Sequence, residues 1–593
     1  MDLQRSAALK PLYDALPATL RDPATGPPKA SEILRLPLRS FMIGIGNPLQ
    51  PGPYHHDQAS RPDLVRFYLE DGWTLRPRLT FSYGLAYLRR TKIYNQDLPR
   101  PEYLAPVLGG NLRPPHRGTT NLEPIAGLAW SLRKEDRTVI RAGAGIYHDD
   151  VDFFRPFLER GPLGPAGNER VMVDGSVVGL SFVSTPTGFQ GQDLLPLLPD
   201  IRSMLTRKLG DGTRPNLTGV EVIKQADRIF DPDHTTPSTI HVSAGMRQLW
   251  GPNLTFSADY VIRRFVHFGG FHGVFQLDRN RFNRPKVTGI NSNTGEVSFV
   301  RDPVIPLCNP VQAAALIAAD HCSTGPVNVY GSGASYLYQG LHVSLEGRIH
   351  SRLYFTAAYA MGSNTGFVEF SDYDNFATAY GSQPDGRRHR LTLSAIYDLP
   401  EYSQGPRVSQ ALINGWTLGL ISETDSSPPL DTILAGLDLD GDGISRTMLP
   451  GIKRHNTLGR ELSRSALGLL VEQYNGDIEA HSNRVTNVDG SVTVVRPRTP
   501  FNQIINPITL PEKFASGDSF ITQDVRLTRK VNINETIKLA LMGEVFNLFN
   551  IANLSGYSNT LNQVNYGLPS ARAGQVFGSG GPRAFQFATR LEF

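Results

Sequence analysis

The chain closes on the stretch AFQFATRLEF at 584–593, in which apolar and polar side chains alternate. One face of an extended strand would carry four apolar residues, Phe585, Phe587, Leu591 and Phe593. The other face would carry a glutamine, an arginine and a glutamate, because successive strand side chains point to opposite sides. An apolar-out, polar-in strand of about 10 residues is the unit of a transmembrane β-barrel. A soluble edge strand has the same pattern, so the rest of the chain decides between the two.

The composition suits a large chain of strands and loops. The chain has 593 residues, with 57 Gly and 44 Pro, and its mean hydropathy is −0.24. No run of about 18 apolar residues occurs, so no transmembrane helix is expected. A polar composition is compatible with a barrel, because its lumen and loops are wet. The net charge of +4, with no block of about five basic residues, gives no reason to expect a nucleic-acid partner.

Alternating segments recur along the chain and come in pairs. Residues 79–87 and 254–262 are typical, and their period is two rather than 3.6. This pattern predicts little helix anywhere except near 311–319. We predict strands at 64–71, 79–89, 124–132, 138–147, 238–249, 254–264, 338–349, 352–362, 387–399, 414–424, 519–530, 536–546 and 583–593.

The links between these strands alternate between short and long. Short links such as 72–78 and 350–351 alternate with long ones such as 149–236 and 425–518. This rhythm favours a barrel with tight periplasmic turns and long external loops. A soluble sandwich or propeller has no reason to place every long loop on one side. The count puts the final strand's end on the periplasmic side, and a strand near 36–46 would make fourteen.

Tryptophan and cysteine add two further predictions. The four tryptophans, Trp73, Trp130, Trp250 and Trp416, all fall near short links, which predicts an aromatic girdle at one rim. The only two cysteines, Cys308 and Cys322, flank a loop-like segment. A disulfide in an oxidising compartment and a pair of free thiols both fit this spacing, whereas a four-cysteine zinc site does not.

Several stretches resemble TonB-dependent outer-membrane receptors. They are YLEDGWTLRPRLTFSYGL at 68–85, PIAGLAW at 124–130, TVIRAGAGIYHD at 138–149, RRHRLTLSAIYDLP at 387–400 and EVFNLFN at 544–550. Their order resembles the Oar-like branch of that family over residues 36–593. The terminal strand ending in phenylalanine also resembles the signal that the barrel-assembly machinery of bacterial outer membranes reads.

The resemblance implies a 22-stranded barrel with an N-terminal plug and a TonB-contacting segment. Residues 1–35 are too few for a plug, and they contain no apolar signal-peptide core. We therefore expect an all-β, antiparallel transmembrane barrel of about 14 strands over 36–593, the C-terminal portion of such a receptor, after a short segment at 1–35. A TonB complex would be a partner only if a plug is supplied.

One short motif suggests a metal. Asp438, Asp440 and Asp442 lie at positions 1, 3 and 5 of a calcium-loop pattern, with the turn glycine Gly443 at position 6. Position 12 would be Leu449 instead of a glutamate, so the bidentate ligand is missing. Calcium binding and a solvated acidic turn both remain open, and we expect no other cofactor.

Charged residues on the predicted polar face have two interpretations. They could line a substrate path, although pairing across strands is the simpler interpretation: Arg141, Asp259, Arg263, Glu346, Arg348, Asp524, Arg526, Lys538 and Glu544. No serine-hydrolase elbow, zinc-protease motif or phosphate loop is complete, so we expect no enzyme.

The leading hypothesis is an outer-membrane barrel of the TonB-dependent receptor type. It would sit in outer-membrane lipid of a bacterial cell and bind or take up an unknown external ligand. The alternatives are a structural or adhesive surface barrel without transport and an outer-membrane hydrolase.

Overall fold

The computed structural model describes residues 63–97, 100–133, 137–149, 190–200, 226–268, 276–308, 322–534, 536–574 and 578–593, with short stretches and single positions outside them. Its main element is a 14-stranded antiparallel sheet. Thirteen strands form one meander: β1 Asp63–Arg76, β2 Leu79–Thr91, β3 Thr120–Ser131, β4 Thr138–His148, β5 Ser238–Trp250, β6 Leu254–Phe268, β7 Ala334–Ile349, β8 Leu353–Phe367, β9 His389–Asp398, β10 Trp416–Asp425, β11 Phe520–Asn532, β12 Lys538–Phe546 and β13 Ala584–Glu592. The fourteenth, Tyr380–Ser382, is short and pairs with β8. The all-β, antiparallel fold predicted from alternation is confirmed.

The register of the sheet keeps one face apolar from strand to strand. On β2, Phe81 pairs with Leu128 of β3, which pairs in turn with Ala142 of β4. At the far end, Leu539 of β12 pairs with Leu591 of β13. Because the side-chain period is two, the alternate residues line a second, more polar face. We call these the apolar face and the polar face.

The links alternate as the sequence predicted. Tight turns at 77–78, 132–137, 251–253, 350–352 and 533–537 define one end of the sheet, together with the longer link 399–415. Long links at 92–119, 149–237, 269–333, 368–388, 426–519 and 547–583 define the other. Outer-membrane barrels place tight turns in the periplasm, so we call the first the inner end and the second the outer end. Within the described residues, β1 pairs only with β2 and β13 only with β12.

Two predictions about strands were wrong. β1 continues to Arg76 instead of ending at residue 71, because Trp73 and Leu75 extend its alternation and Gly72 pairs with Ser82. The hairpin turn is therefore two residues long. The strand expected near 36–46 is present as Phe41–Ile43, but it pairs with Arg170–Val173 in a separate three-stranded sheet.

The prediction of little helix is confirmed, although two helices lie where none was predicted. Helix α1 spans Arg407–Ile413, and helix α2 spans Arg464–Ala480. The Ser463 Oγ accepts the N–H of Ala466 at 3.1 Å and caps α2. The helix buries residues at helical spacing: Leu467, Val471, Tyr474 and Ile478. The helix expected near 311–319 lies outside the described residues.

Smaller elements occupy the links. The short strands are Ala226–Phe230, Gln276–Asp278, Pro285–Ile290, Val297–Arg301, Val327–Tyr330, Ile433–Ala435, Arg446–Met448, Asn483–Thr486, Val492–Val495, Leu554–Ser555 and Ala571–Arg572, and Val220–Ile223 extends the separate sheet. The helical turns are Ala30–Ile33, Glu102–Leu108, Gly191–Leu194, Leu195–Leu197 and Phe376–Ala379. No helix among the described residues is long and apolar enough to cross a membrane.

The buried hydrophobic residues lie mainly in the long links rather than in the sheet. One cluster surrounds α2 and joins 426–519 to 547–583; we call these two links the loop cap. Its most buried members are Leu434, Leu449, Leu458, Leu467, Leu561 and Tyr566. A second cluster joins three other long links through Leu104, Ile229, Ile305 and Val327. The sheet instead exposes side chains on both faces, as a wall between lipid and a wet lumen does.

Candidate ligand-binding site

A buried histidine and aspartate pair anchors the loop cap. The Nδ1 of His455 lies 2.6 Å from Oδ2 of Asp431, and both side chains are almost fully buried. The other carboxylate oxygen accepts the backbone N–H groups of Thr432, at 2.9 Å, and Asn456, at 3.1 Å. The Tyr566 hydroxyl donates to the Asp431 carbonyl at 3.0 Å. The pair therefore fastens the start of the cap to its far end.

The charges of the pair support each other. Burial by itself lowers the pKa of His455, but the hydrogen bond and charge of Asp431 outweigh it, so the pKa is raised. Burial likewise acts to raise the pKa of Asp431, and His455 reverses that effect, so the pKa is lowered. The geometry is that of a buried ion pair.

Among the described residues, neither a hydrolase site nor a metal centre is complete around this pair. No hydroxyl group of these residues reaches Nε2 of His455, so no nucleophile is positioned there. Glu369 comes within 4.8 Å of the pair, as a metal ligand would. However, Glu369 already pairs with Arg446 at 2.9 Å, and the Asp431 carboxylate is occupied on both oxygens.

The three carboxylates of the predicted calcium loop lie close to a fourth one. The Asp438 carboxylate turns inward and accepts the N–H groups of Gly441, at 2.7 Å, and Gly443, at 2.8 Å. Asp440 and Asp442 remain together, and Asp372 of the link 368–388 joins them, with one oxygen from each within 4.8 Å. Asp372 thus joins two of the three residues that the sequence assigned to this site.

The carboxylates of this acidic group have raised pKa values, because they are buried close to one another. Burial raises the pKa of Asp442 to about 7, and the charges of Asp438 and Asp440 add to it, although N–H groups of Tyr373 and Ile444 partly offset it. Burial raises the pKa of Asp438 as well. A divalent cation would relieve the repulsion. The residue at position 12, Leu449, is fully buried in the α2 cluster and offers no ligand.

Two cavities open at the outer end of the sheet, and Pro384 and Asp385 line both. The first, of about 270 Å³, has an aromatic wall made by Phe265, Phe268 and Tyr336. The Phe268 and Tyr336 rings meet edge to face, with centroids 5.5 Å apart. Phe265 and Tyr336 lie on the polar face, so this cavity belongs to the lumen side of the wall.

The second cavity, of about 330 Å³, lies between the link 368–388 and the loop cap. Its charged lining residues are Asp385, Arg387, Asp431 and Asp518, and Tyr557 supplies an aromatic side. Arg387 is 3.7 Å from Asp425 and is therefore already paired. Asp385 and Asp518 leave the cavity negative.

Arg460 joins two links whose neighbouring residues line the second cavity. Its guanidinium donates to the carbonyls of Gly386, at 2.7 Å, and Ser427, at 2.9 Å. These two carbonyls belong to different long links, 368–388 and 426–519. Burial lowers the pKa of Arg460, and the nearby charge of Arg388 adds to this effect.

Charges on the polar face pair across strands. Arg141 of β4 reaches Asp259 of β6 at 2.5 Å, past Gly245 of β5. A Cβ at Gly245 would lie 2.0 Å from the Asp259 Oδ1, so only glycine leaves room for this contact. Arg526 and Glu544 face each other on β11 and β12 at 3.0 Å. Four of the nine predicted polar-face charges are thus brought together as two pairs.

The remaining predicted residues take the following positions. The tryptophans at 73, 130 and 250 lie toward the inner end of their strands, and Trp416 begins β10 at that end. The apolar residues of β13 share one face. Cys308 and Cys322 are joined as a disulfide in the link 269–333.

Sequence reasoning missed the parts of the site that depend on distant pairing. Asp372, the His455–Asp431 pair and Arg460 carry no local motif. The cavities are lined by residues of three different links and of strands β6, β7 and β8, so no spacing along the chain predicts them.

Comparison with known proteins gives one family and several distant likenesses. The family described as outer membrane beta barrel domain matches residues 18–586. A search of the curated proteins found no match. Among solved structures, the outer membrane transporter YddB from Escherichia coli is 10% identical with a TM-score of 0.38, over 90% of this chain and 45% of that chain.

Two further solved structures are similar to the same degree. The siderophore receptor PirA from Acinetobacter baumannii is 11% identical with a TM-score of 0.36, over 90% of this chain and 47% of that one. The FrpB iron transporter from Neisseria meningitidis is 10% identical with a TM-score of 0.35, over 89% and 45%. The chain spans about half the length of the solved structures it matches.

Proposed function

The chain belongs to the outer membrane beta barrel domain family and lies in the bacterial outer membrane. We propose that it binds an external ligand at the outer end of its sheet and takes part in the uptake of that ligand. This is the role of a TonB-dependent receptor of the Oar-like type, which its motifs resemble. Energy coupling through a TonB complex belongs to the proposal only where a plug is supplied.

The two adjoining cavities carry this proposal. They share Pro384 and Asp385, and together they join an aromatic slot to a negatively charged compartment. Ligand sites are concave and largely apolar, with a few polar groups that fix orientation. Their position above the polar face suits a ligand that enters from outside and passes toward the lumen.

The lining points to a class of ligand. The aromatic wall suits a ring or branched apolar group, and the carboxylates of Asp385 and Asp518 suit an ammonium or guanidinium group nearby. Tyr557 offers an aromatic face to the same cation. We therefore propose a ligand that carries a cationic group next to an apolar one.

Calorimetry on the refolded protein tests this proposal. Phenylalanyl-arginine amide serves as the probe, and N-acetyl-phenylalanine amide as its uncharged counterpart. Combining Asp385→Asn and Asp518→Asn should weaken probe binding about tenfold or more, equivalent to roughly 1.4 kcal/mol. Asp477→Asn, on the exposed side of α2, is the matched control. Equal binding by all variants, or no preference for the cationic probe, would favour a structural barrel instead.

We also propose that Asp372, Asp440 and Asp442 bind calcium, which would fasten the loop cap to the link 368–388. Three carboxylates within 4.8 Å support this role. Titration of the whole protein with calcium should release heat in the wild type and much less in Asp372→Asn, with Asp477→Asn again as control. A wild type without calcium heat would leave the loop as a solvated acidic turn.

For membrane placement we propose that the four tryptophans mark the inner interface with lipid. The terminal strand would be the segment that the barrel-assembly machinery recognises. To test this girdle, each tryptophan position in turn carries a cysteine-specific label, and lipids brominated near the headgroup serve as the quencher. We expect equal quenching at all four positions. Labels that lie at different depths would contradict the girdle.

A further inference from the structure

The link 399–415 is the only one at the described inner end that contains a helix. Within it, the Tyr402 N–H donates to the Asn414 side chain at 2.6 Å, and the Asn414 amide returns a bond to the Tyr402 carbonyl at 2.9 Å. The Gln410 amide donates to the Gly405 carbonyl at 3.0 Å. These bonds hold the two ends of the link together around α1.

Two side chains of the sheet hold the C-terminal end of α1. The Arg529 guanidinium donates to the Leu412 carbonyl at 2.7 Å and also to the Ala411 carbonyl. The Trp416 Nε1–H donates to the same Leu412 carbonyl at 3.1 Å. A cation at a helix C-terminus is stabilising, because the last carbonyls lack partners within the helix.

Both of these side chains lie on the apolar face. Trp416 of β10 and Arg529 of β11 are cross-strand partners, and the guanidinium lies 5.3 Å from the ring centroid. Their row continues through Leu418, which pairs with Leu527 on one side and Tyr397 on the other. The helix is therefore fastened to the side of the wall that faces lipid, not to the lumen side.

The helix exposes apolar side chains at this place. Val408 is 71% exposed, Leu412 63% and Ile413 50%. Val408 and Leu412 are four residues apart, so they share one side of the helix. The end of the helix that carries Leu412 and Ile413 adjoins the apolar face of the sheet at its inner end.

We propose that α1 is an interfacial membrane helix, whose apolar side is covered by phospholipid of the periplasmic leaflet. The continuity with the lipid-facing wall selects lipid as the occupant. Helices of this kind lie in the interface plane with apolar residues among the acyl chains and basic or aromatic residues at the headgroups. Arg529 and Trp416 supply the basic and the aromatic group.

Depth-dependent quenching tests the proposal. Val408→Cys and Leu412→Cys variants, each labelled with bimane, are refolded into phosphatidylcholine vesicles with and without lipid brominated on the acyl chain. Lys530→Cys is the matched control, because Lys530 neighbours Arg529 on β11 but lies on the polar face. Both helix labels should be quenched at least about twofold more by brominated lipid than the control, and less by aqueous iodide.

One outcome would overturn the proposal. Helix labels that match the Lys530 label in both quenchers would show that α1 is surrounded by water. Heat-modifiable gel mobility confirms for each variant that the sheet is folded.

Discussion

Replacing His455 by leucine should loosen the loop cap without unfolding the sheet. The side chain is fully buried, and its loss leaves the Asp431 carboxylate, 4% exposed, without its cationic partner. Removing one partner of a buried ion pair typically costs about 3–5 kcal/mol. Two backbone N–H groups still reach the other carboxylate oxygen, so we expect the lower part of that range, about 3 kcal/mol.

Hydrogen exchange of the α2 amides is the assay, because Leu467 of α2 packs in the same cluster as Leu458, close to His455 in the chain. A loss of about 3 kcal/mol corresponds to a more than hundredfold fall in protection. The double variant His455→Leu with Asp431→Asn removes the stranded charge and keeps an acceptor oxygen. It should recover about 1–3 kcal/mol of the loss. A single variant within about 0.5 kcal/mol of the wild type would refute the ion-pair reasoning.

The His455–Asp431 pair also predicts the pH range in which the loop cap is most stable. The raised pKa of His455 means that its contribution is complete below its ordinary value of about 6.5 and disappears as pH rises through the folded value. The lowered pKa of Asp431 means that its contribution is complete above about 3.9 and disappears as pH falls through the folded value. Protection of α2, corrected for intrinsic exchange, should therefore be greatest between about pH 4 and 6.5. A His455→Leu variant with the same profile would contradict this assignment.

Three further predictions concern single contacts. Arg460→Ala should weaken binding of phenylalanyl-arginine amide about five- to thirtyfold, because it removes two carbonyl contacts that join the links 368–388 and 426–519 beside the second cavity. An unchanged calorimetric affinity would show that these contacts do not shape the cavity. Gly245→Ala should lower the free energy of unfolding, measured with urea in vesicles, by about 1–3 kcal/mol, because the new methyl group displaces Asp259. Gly72→Ala should leave it nearly unchanged, because the space around Gly72 is open. The disulfide of the link 269–333 should block alkylation until a reductant is added; two alkylated thiols without reductant would disprove it.

The sheet could be predicted from sequence because its signals are local. Alternation with a period of two and the lengths of links are both read within a few residues, and they gave the thirteen strands of the meander to within a few positions. The end of β1 was misplaced because Gly72 looks like a turn, although the apolar alternation continues through Trp73. At this position the apolar alternation predicts the strand correctly, whereas the single glycine suggests a turn that does not form.

Helix α2 had a readable signal that was overlooked. Leu467, Val471, Tyr474 and Ile478 recur at helical spacing behind the capping residue Ser463. The binding site had no comparable signal. Asp431 and His455 are 24 residues apart, and Arg460 joins carbonyls that lie 74 and 33 residues away. Such contacts depend on where the sheet places the ends of its links, which spacing along the chain does not encode.

The position of the buried clusters constrains how the molecule is built. The cluster around Leu104 draws residues from the links 92–119, 149–237 and 269–333, so none of these links can complete it alone. All three must first be carried across the bilayer, and neighbouring hairpins must bring their ends together. Contacts between segments so distant in the chain form slowly, because loop closure precedes any gain from packing. The long links would therefore fold last, on the outer side of the membrane, after the sheet has formed and brought their ends together.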